Sequence, residues 1–265
     1  MYEFAYLKPA SVADAVAALK ADAEAKPVSG GMTLLPTMKQ RLAKPCKIVD
    51  LSGIAALKGI KVEGGKVTIG AMTRHADVAN SAEVAKAIPA LAKLAEGIGD
   101  PQVRNRGTIG GSVANNDPTA DYPAAVLGLG ATIVTDSRRI AADDFFQGMF
   151  TTALAEGELI TAIEFPVPEK AAYMKFPNPA SRYAMVGVFV AKGPAGVRVA
   201  VTGAGQGGVF RHAEMEKALA ASWSPDAVAK IATPAGNLNS DIHAGAEYRA
   251  HLIAVMAKRA VAAAG

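Results

Sequence analysis

The chain has 265 residues, 51% hydrophobic and 20% charged, the proportions of a folded globular protein and not of a disordered polymer. Its formal charge is +4, from 28 Lys and Arg against 24 Asp and Glu spread along the chain, so no block of basic residues marks a nucleic-acid surface. Apolar runs such as 124–131 fall well short of the about 20 residues that span a bilayer, and Cys46, the one cysteine, excludes an internal disulfide and an iron–sulfur cluster held by this chain, since such clusters need about four thiolates.

Met1-Tyr2-Glu3-Phe4 carries neither a basic region nor an apolar stretch, so no leader peptide is expected. Ser11-Val12-Ala13-Asp14 reads as a capping box, predicting a helix that ends near Glu24 and buries Val12, Ala15, Val16 and Leu19 on one face. A short strand over 27–29 leads into Gly30-Gly31, a helix follows over 33–42, and 47–51 is a second strand. Ile60 and Val62 face Val67 and Ile69 across Gly64-Gly65, a hairpin pattern. Segment 73–98 predicts two helices divided at Pro89 and stopped by Gly97, Gly99 and Asp100-Pro101. A strand is expected over 128–136, followed by a turn and Arg139-Ile140-Ala141, another strand over 159–165, and a linker over 166–172. Beyond it, 184–191 and 197–202 read as antiparallel strands, and 224–232 and 246–263 as helices.

Two glycine-rich loops stand out. Ser29-Gly30-Gly31-Met32-Thr33 joins a strand to a helix start, where backbone N–H groups either approach an anion or serve a plain turn. The second, 104–121, joins Arg104-Asn105-Arg106-Gly107-Thr108-Ile109-Gly110-Gly111-Ser112 to a run of small polar residues. It has neither the G-x-G-x-x-G order of a Rossmann turn nor the G-K-[ST] of a P-loop, which disfavours both folds.

The stretch 104–123, together with 29–51, resembles the FAD subunit of molybdenum hydroxylases of the carbon monoxide dehydrogenase (medium subunit) and xanthine dehydrogenase kind. The resemblance runs from Phe4-Ala5-Tyr6-Leu7-Lys8-Pro9 to Thr202-Gly203-Ala204-Gly205 and the helical tail, and Arg106-Gly107-Thr108-Ile109-Gly110-Gly111 is its most specific part. It implies an α+β fold: a PCMH-type, vanillyl-alcohol oxidase-like FAD-binding domain over 1–168, made of two α/β subdomains of about 1–55 and 56–168, then a smaller α+β domain over 169–265. It implies that Ser29, Gly30, Gly31, Met32 and Thr33, and Thr108, Ile109, Gly110, Gly111 and Ser112, hold the FAD pyrophosphate through backbone N–H groups as two opposed anion nests. Asn115 joins the same cofactor set. Asp121 matches the family acid near the flavin, Lys175 a lysine near it, Tyr183 a residue against the isoalloxazine, and Ile98 and Ile160 apolar contacts. Met32 stands where many relatives carry a polar side chain, which leaves that position only its backbone.

Taken without the family, Lys175 is a solvated surface lysine, Tyr183 a sheet-edge aromatic and Asp121 the cap of a helix beginning at Tyr122. His75, His212, His243 and His251 show no metal-ligand spacing and are read as structural or exposed. Lys39, Arg41, Lys44 and Lys47 form a solvated basic face or one turned to an anionic cofactor or acidic partner. Cys46 is read as a small buried apolar residue.

The family implies a reaction divided among subunits. Substrate is oxidised at a molybdenum cofactor in a large partner subunit, and electrons pass through [2Fe-2S] clusters of a small subunit to FAD in this chain and on to an external acceptor. No catalytic residue is expected here, because the flavin does the redox chemistry. The expected assembly is a dimer of heterotrimers in the cytoplasm, or peripheral at the inner face of the membrane through the complex. A self-sufficient flavin oxidase of the vanillyl-alcohol oxidase superfamily and a non-redox nucleotide-binding module are the rival readings.

Overall fold

The computed structural model describes residues 1–265. The chain first winds a three-stranded parallel sheet from β1 (Ala5–Leu7), β2 (Ala25–Val28) and β3 (Lys47–Asp50), in the order β1-β3-β2. Parallel strands need a crossover, and the helices Val12–Lys20 and Leu34–Lys39 supply two. Ser11 caps the first of these, accepting the Asp14 N–H at 3.1 Å while its hydroxyl donates to the Asp14 carboxylate at 2.6 Å. The helix stops at Lys20 and not near Glu24, because the Asp22 side chain takes the Glu24 N–H at 3.1 Å and turns the chain. Ala15 and Leu19 pack on Val49, Leu51, Ile54 and Leu57.

A five-stranded antiparallel sheet follows, built from β4 (Ile60–Glu63), β5 (Lys66–Gly70), β6 (Thr132–Thr135), β7 (Arg139–Ala141) and a later strand; β8 (Phe146–Gly148) and β9 (Thr151–Thr152) make a separate hairpin. The later strand, β10 (Ile160–Pro166), lies at the centre of the order β4-β5-β10-β6-β7. Ile60 pairs with Ile69 and Val62 with Val67, as the alternation predicts. Segment 73–98 holds three helices where two are expected, His75–Ala79, Ala82–Ala87 and Pro89–Glu96, because Ser81 opens a new one by accepting the Val84 N–H at 3.2 Å. The strand expected over 128–136 is shorter. Gly128 closes the helix Tyr122–Gly128, and the chain turns at Gly130 (φ 62) before β6. The helix Ile109–Asn115 begins inside the second glycine loop and is invisible to propensity, since Gly110 and Gly111 disfavour helix.

The last sheet is antiparallel, in the order β11 (Lys170–Pro177), β12 (Ala184–Gly193), β13 (Gly196–Thr202), β14 (Phe210–Arg211). Residues 170–172, expected in a linker, belong to β11, so only 167–169 connect β10 to it. β12 is buried on both faces. Val186, Val188 and Val190 meet Leu252, Ile253 and Met256 of the helix Ala246–Ala264, while Phe189 and Ala191 face the core that the helix Tyr122–Gly128 shares with the middle sheet. Period-two alternation between two cores produces its unbroken apolar run. Replacing Phe189, which is fully buried and stacked 6.2 Å from Tyr173, with Ala is expected to remove about 3–5 kcal/mol of stability in denaturant unfolding.

Candidate functional site

A cleft of about 690 Å³ opens where the first loop, the second loop, segment 117–121, the tip of the β8–β9 hairpin and the turn 181–183 converge. The two glycine loops touch at its floor. The Ser29 and Thr108 hydroxyls lie 2.6 Å apart, and Ser29 also reaches the Met72 sulfur at 2.7 Å. A Cβ on Gly30 would collide with the Arg106 carbonyl oxygen, so only glycine permits this approach.

The two loops differ in what they offer a ligand. The N–H groups of Gly30, Gly31, Met32 and Thr33 donate to no acceptor in the protein, leaving four successive amides on the cleft wall. In the second loop the Ile109 N–H donates to Thr73 O (3.0 Å), that of Gly110 to Ala71 O (2.9 Å) and that of Gly111 to the Thr108 hydroxyl (3.2 Å). Of the amides expected in two nests, those of Ile109, Gly110, Gly111 and Ser112 are thus taken by acceptors within the protein, while those of the first loop and of Thr108 are not. Ile109 is fully buried and lies outside the cleft lining; Thr108, Gly110, Gly111, Ser112 and Asn115 do line it.

Asp121 forms a buried polar wall. It accepts from the Tyr173 hydroxyl at 2.5 Å and the Lys175 ammonium at 3.0 Å, and Lys175 also donates to Gly97 O at 2.8 Å. Burial raises the Asp121 carboxyl above its ordinary range, against the pull of Lys175 and Tyr173, and pushes the Tyr173 hydroxyl well up, with Asp121 adding to that rise. Asp121 makes no side-chain cap on the helix Tyr122–Gly128, so the capping reading gives way to this ion pair. Lys175, only 11% exposed at its side chain, is no surface lysine; it stands outside the cleft lining and ties Asp121 to the carbonyl beside Ile98.

Ile98 and Ile160 line the cleft, and Tyr183 stands half-exposed at its rim. Its turn is held by Asn178, whose N–H donates to Tyr183 O (2.8 Å) and whose Oδ1 accepts from the Ala180 and Ser181 N–H groups (2.9 and 3.1 Å). Burial, with Asp117 and Asp121, raises the Tyr183 hydroxyl.

Two lining residues escape sequence reasoning. His75, 5% exposed, donates its N–H to Gly107 O and has an Nδ1 without a partner; burial, with Arg104, lowers its imidazole to about 4. Phe150 sits at φ 54 on the β8–β9 hairpin, where Asn116 fastens the tip through Gly148 O (2.7 Å) and Thr151 O (2.9 Å). No local pattern marks either, because both reach the cleft only through tertiary packing. Elsewhere, His212 is buried and caps the helix Ala213–Ala221, while His243 and His251 are exposed. Cys46 is exposed and donates to Asp22 at 2.9 Å, which corrects its buried reading. None of Lys39, Arg41, Lys44 and Lys47 lines the cleft; Lys47 pairs with Asp22, and Arg41 and Lys44 lie over the Tyr2 ring.

Free amides suit a phosphate, and apolar walls at Ile98 and Ile160 suit flat rings, so the site defines a binder of an elongated, phosphate-bearing cofactor. Residues 2–168 match the FAD binding domain in molybdopterin dehydrogenase, and the chain belongs to that family. It is 36% identical to the nicotine 6-hydroxylase medium subunit of Paenarthrobacter nicotinovorans, over 98% of this chain and 96% of that one. It is 38% identical to the carbon monoxide dehydrogenase medium chain of Afipia carboxidovorans, over 97% and 95%. Its fold superposes on a chain of reconstituted CO dehydrogenase from Oligotropha carboxidovorans with a TM-score of 0.91 at 37% identity, covering 99% of this chain and 98% of that one. The resemblance seen in the glycine loops is thus borne out, with a mixed α+β fold and FAD as the cofactor. No helix is long and apolar enough to cross a membrane.

Gly30→Ala is expected to separate the loops and weaken FAD binding at least about tenfold in a fluorescence titration, a loss of about 1.4 kcal/mol. Below pH 6.5 an unfolded imidazole takes a proton that folded His75 refuses until about pH 4, so stability falls across that window. His75→Phe is expected to flatten that part of the stability–pH curve in urea unfolding.

Proposed function

We propose that this chain is the flavin subunit of a multi-subunit molybdenum hydroxylase, holding FAD along the cleft and relaying electrons from [2Fe-2S] clusters of a small subunit to an external acceptor. The observation that carries the siting is the run of four free amides, Gly30 to Thr33, facing the Thr108 hydroxyl across a glycine contact. Those amides, with the hydroxyls of Ser29, Thr108 and Ser112, hold the pyrophosphate. Asn115 and Asp121 face the polar middle of the cofactor, and Ile98, Ile160 and Tyr183 flank the isoalloxazine and keep water from it. Met32 acts through its N–H alone. Ile109 and Lys175 act from behind, Ile109 by packing and Lys175 by holding Asp121.

When bound, the flavin supplies a carrier that takes electrons singly and releases them to an acceptor. The chain's part is to bind, orient and shield. The Asp121–Lys175 pair, buried beneath the cleft, sets a fixed local field at low dielectric. Nothing in this role requires a protein nucleophile. Substrate oxidation belongs to the large molybdenum-cofactor subunit, a division supported by relatives named as medium chains and medium subunits.

The same reading makes 1–168 a PCMH-type, vanillyl-alcohol oxidase-like FAD-binding domain in two subdomains of about 1–55 and 56–168, and 169–265 a separate α+β domain. A family match ending at residue 168 and a core cluster drawn wholly from residues 172–261 support it. The assembly is a dimer of heterotrimers in the cytoplasm, or peripheral at the inner face of the membrane through its complex.

The chain, purified alone and with its partners, is expected to show a flavin spectrum and to release FAD on heating. A colourless protein that takes up no FAD in either state overturns the reading. Substrate turnover by the isolated chain would favour a self-sufficient oxidase instead.

A further inference from the structure

Arg249 is only 3% exposed and lies in the first turn of the helix Ala246–Ala264, far in sequence from the cleft residues. A guanidinium at that depth needs partners. It donates to Met185 O (2.7 Å) and Gly203 O (3.1 Å) through one terminal nitrogen, and to the Asp241 carboxylate (2.8 Å) through the other. Asp241 is itself fixed by the N–H groups of His243 (2.8 Å) and Ala244 (3.1 Å).

The two carbonyls belong to a junction. Met185 is two residues beyond Tyr183, and Gly203 directly follows β13. Gly203 has φ 83, and a Cβ there would collide with the Ala184 carbonyl oxygen, so the start of β12 and the end of β13 meet where only glycine fits. From the same junction, hydrogen bonds run into the cleft wall. The Ala184 N–H donates to Thr119 O (3.3 Å), the Gly203 N–H to Pro118 O (2.8 Å), and the Thr202 hydroxyl to Ala120 O (2.7 Å) and Pro118 O (3.2 Å). Segment 117–121 and Tyr183 are thereby tied to one point, and Arg249 holds that point from the far side.

We propose that Arg249, oriented by Asp241, is a positioning residue of the flavin site, setting the placement of Tyr183 and of segment 117–121 from the C-terminal helix. The inference rests on the reading that Tyr183 flanks the isoalloxazine. Arg249 touches no cofactor atom in this account. Its effect passes through backbone carbonyls, and a planar guanidinium, with one terminal nitrogen on both carbonyls and the other on Asp241, fixes that geometry where a freely rotating ammonium does not.

The test uses the full chain as wild type, Arg249→Lys, Asp241→Asn, Val261→Ala and Tyr183→Ala, comparing FAD affinity by fluorescence titration, the visible spectrum of the bound flavin, and Tm. Val261 is buried in the same helix, more than three turns beyond Arg249, so it reports plain loss of packing. Arg249→Lys and Asp241→Asn are expected to weaken FAD binding at least about fivefold and to shift the flavin bands in the manner of Tyr183→Ala, whereas Val261→Ala lowers Tm and binds FAD within about twofold of wild type. Asp241, half-exposed at its side chain, keeps the test open if Arg249→Lys fails to fold. Wild-type affinity and bands in both clamp variants, beside a changed Tyr183→Ala, overturn the proposal alone. A loss in Val261→Ala equal to theirs also overturns it. Unchanged bands in Tyr183→Ala overturn the underlying placement of the flavin and the proposal with it.

Discussion

The close approach of Gly30 to the Arg106 carbonyl is the constraint on which the rest of the site depends. It brings the loop after β2 against the turn that precedes the helix Ile109–Asn115, joins the Ser29 and Thr108 hydroxyls, and leaves the amides of the first loop without acceptors in the protein. Gly30 and Gly31 are half-buried and Met32 and Thr33 exposed, so water can satisfy these donors, and four of them in succession at a glycine turn before a helix offer an anion a ready set of hydrogen bonds. The second loop contributes in a different way. Its amides are spent on Ala71, Thr73 and Thr108, which anchors the helix Ile109–Asn115 against β5 and gives the first loop a rigid opposite wall.

Around that floor the chain keeps charge where water does not reach. Removing one member of a buried ion pair leaves an uncompensated charge and costs more than the pair contributes, so the fold depends on keeping Asp121 and Lys175, joined by Tyr173, together. Lys175 comes from β11, Asp121 precedes the helix Tyr122–Gly128, and Gly97 O lies past the helix Pro89–Glu96. One ammonium thus fastens three elements behind the apolar lining at Ile98. The third sheet is more than an appendage, because it supplies Tyr183 to the rim and Lys175 to the wall.

Much of this was legible in the chain itself. The Ser11 cap, the 60–69 hairpin and the long apolar run of β12 follow from local chemistry and period-two alternation, which act over a few residues and need no partner. The glycine loops carried enough pattern to indicate the family and its cofactor. Lys175 and Asp121 were nameable only by resemblance, and their local readings as surface lysine and helix cap both gave way to each other's company. His75, Phe150 and Arg249 had no signal, because a lone histidine, a hairpin aromatic and a helical arginine are ordinary in any sequence.

By itself, then, the sequence determined the Ser11-capped helix, the 60–69 hairpin, the alternating strands, the family and the presence of two glycine turns, since capping, alternation and the need for a missing Cβ are local properties. Only the tertiary structure decided which of the two turns keeps its amides free, where the Asp121 carboxylate goes, and how a C-terminal arginine reaches the cleft wall. Those outcomes depend on which donor meets which acceptor across distant segments, and in a buried interior the nearest available partner takes the hydrogen bond.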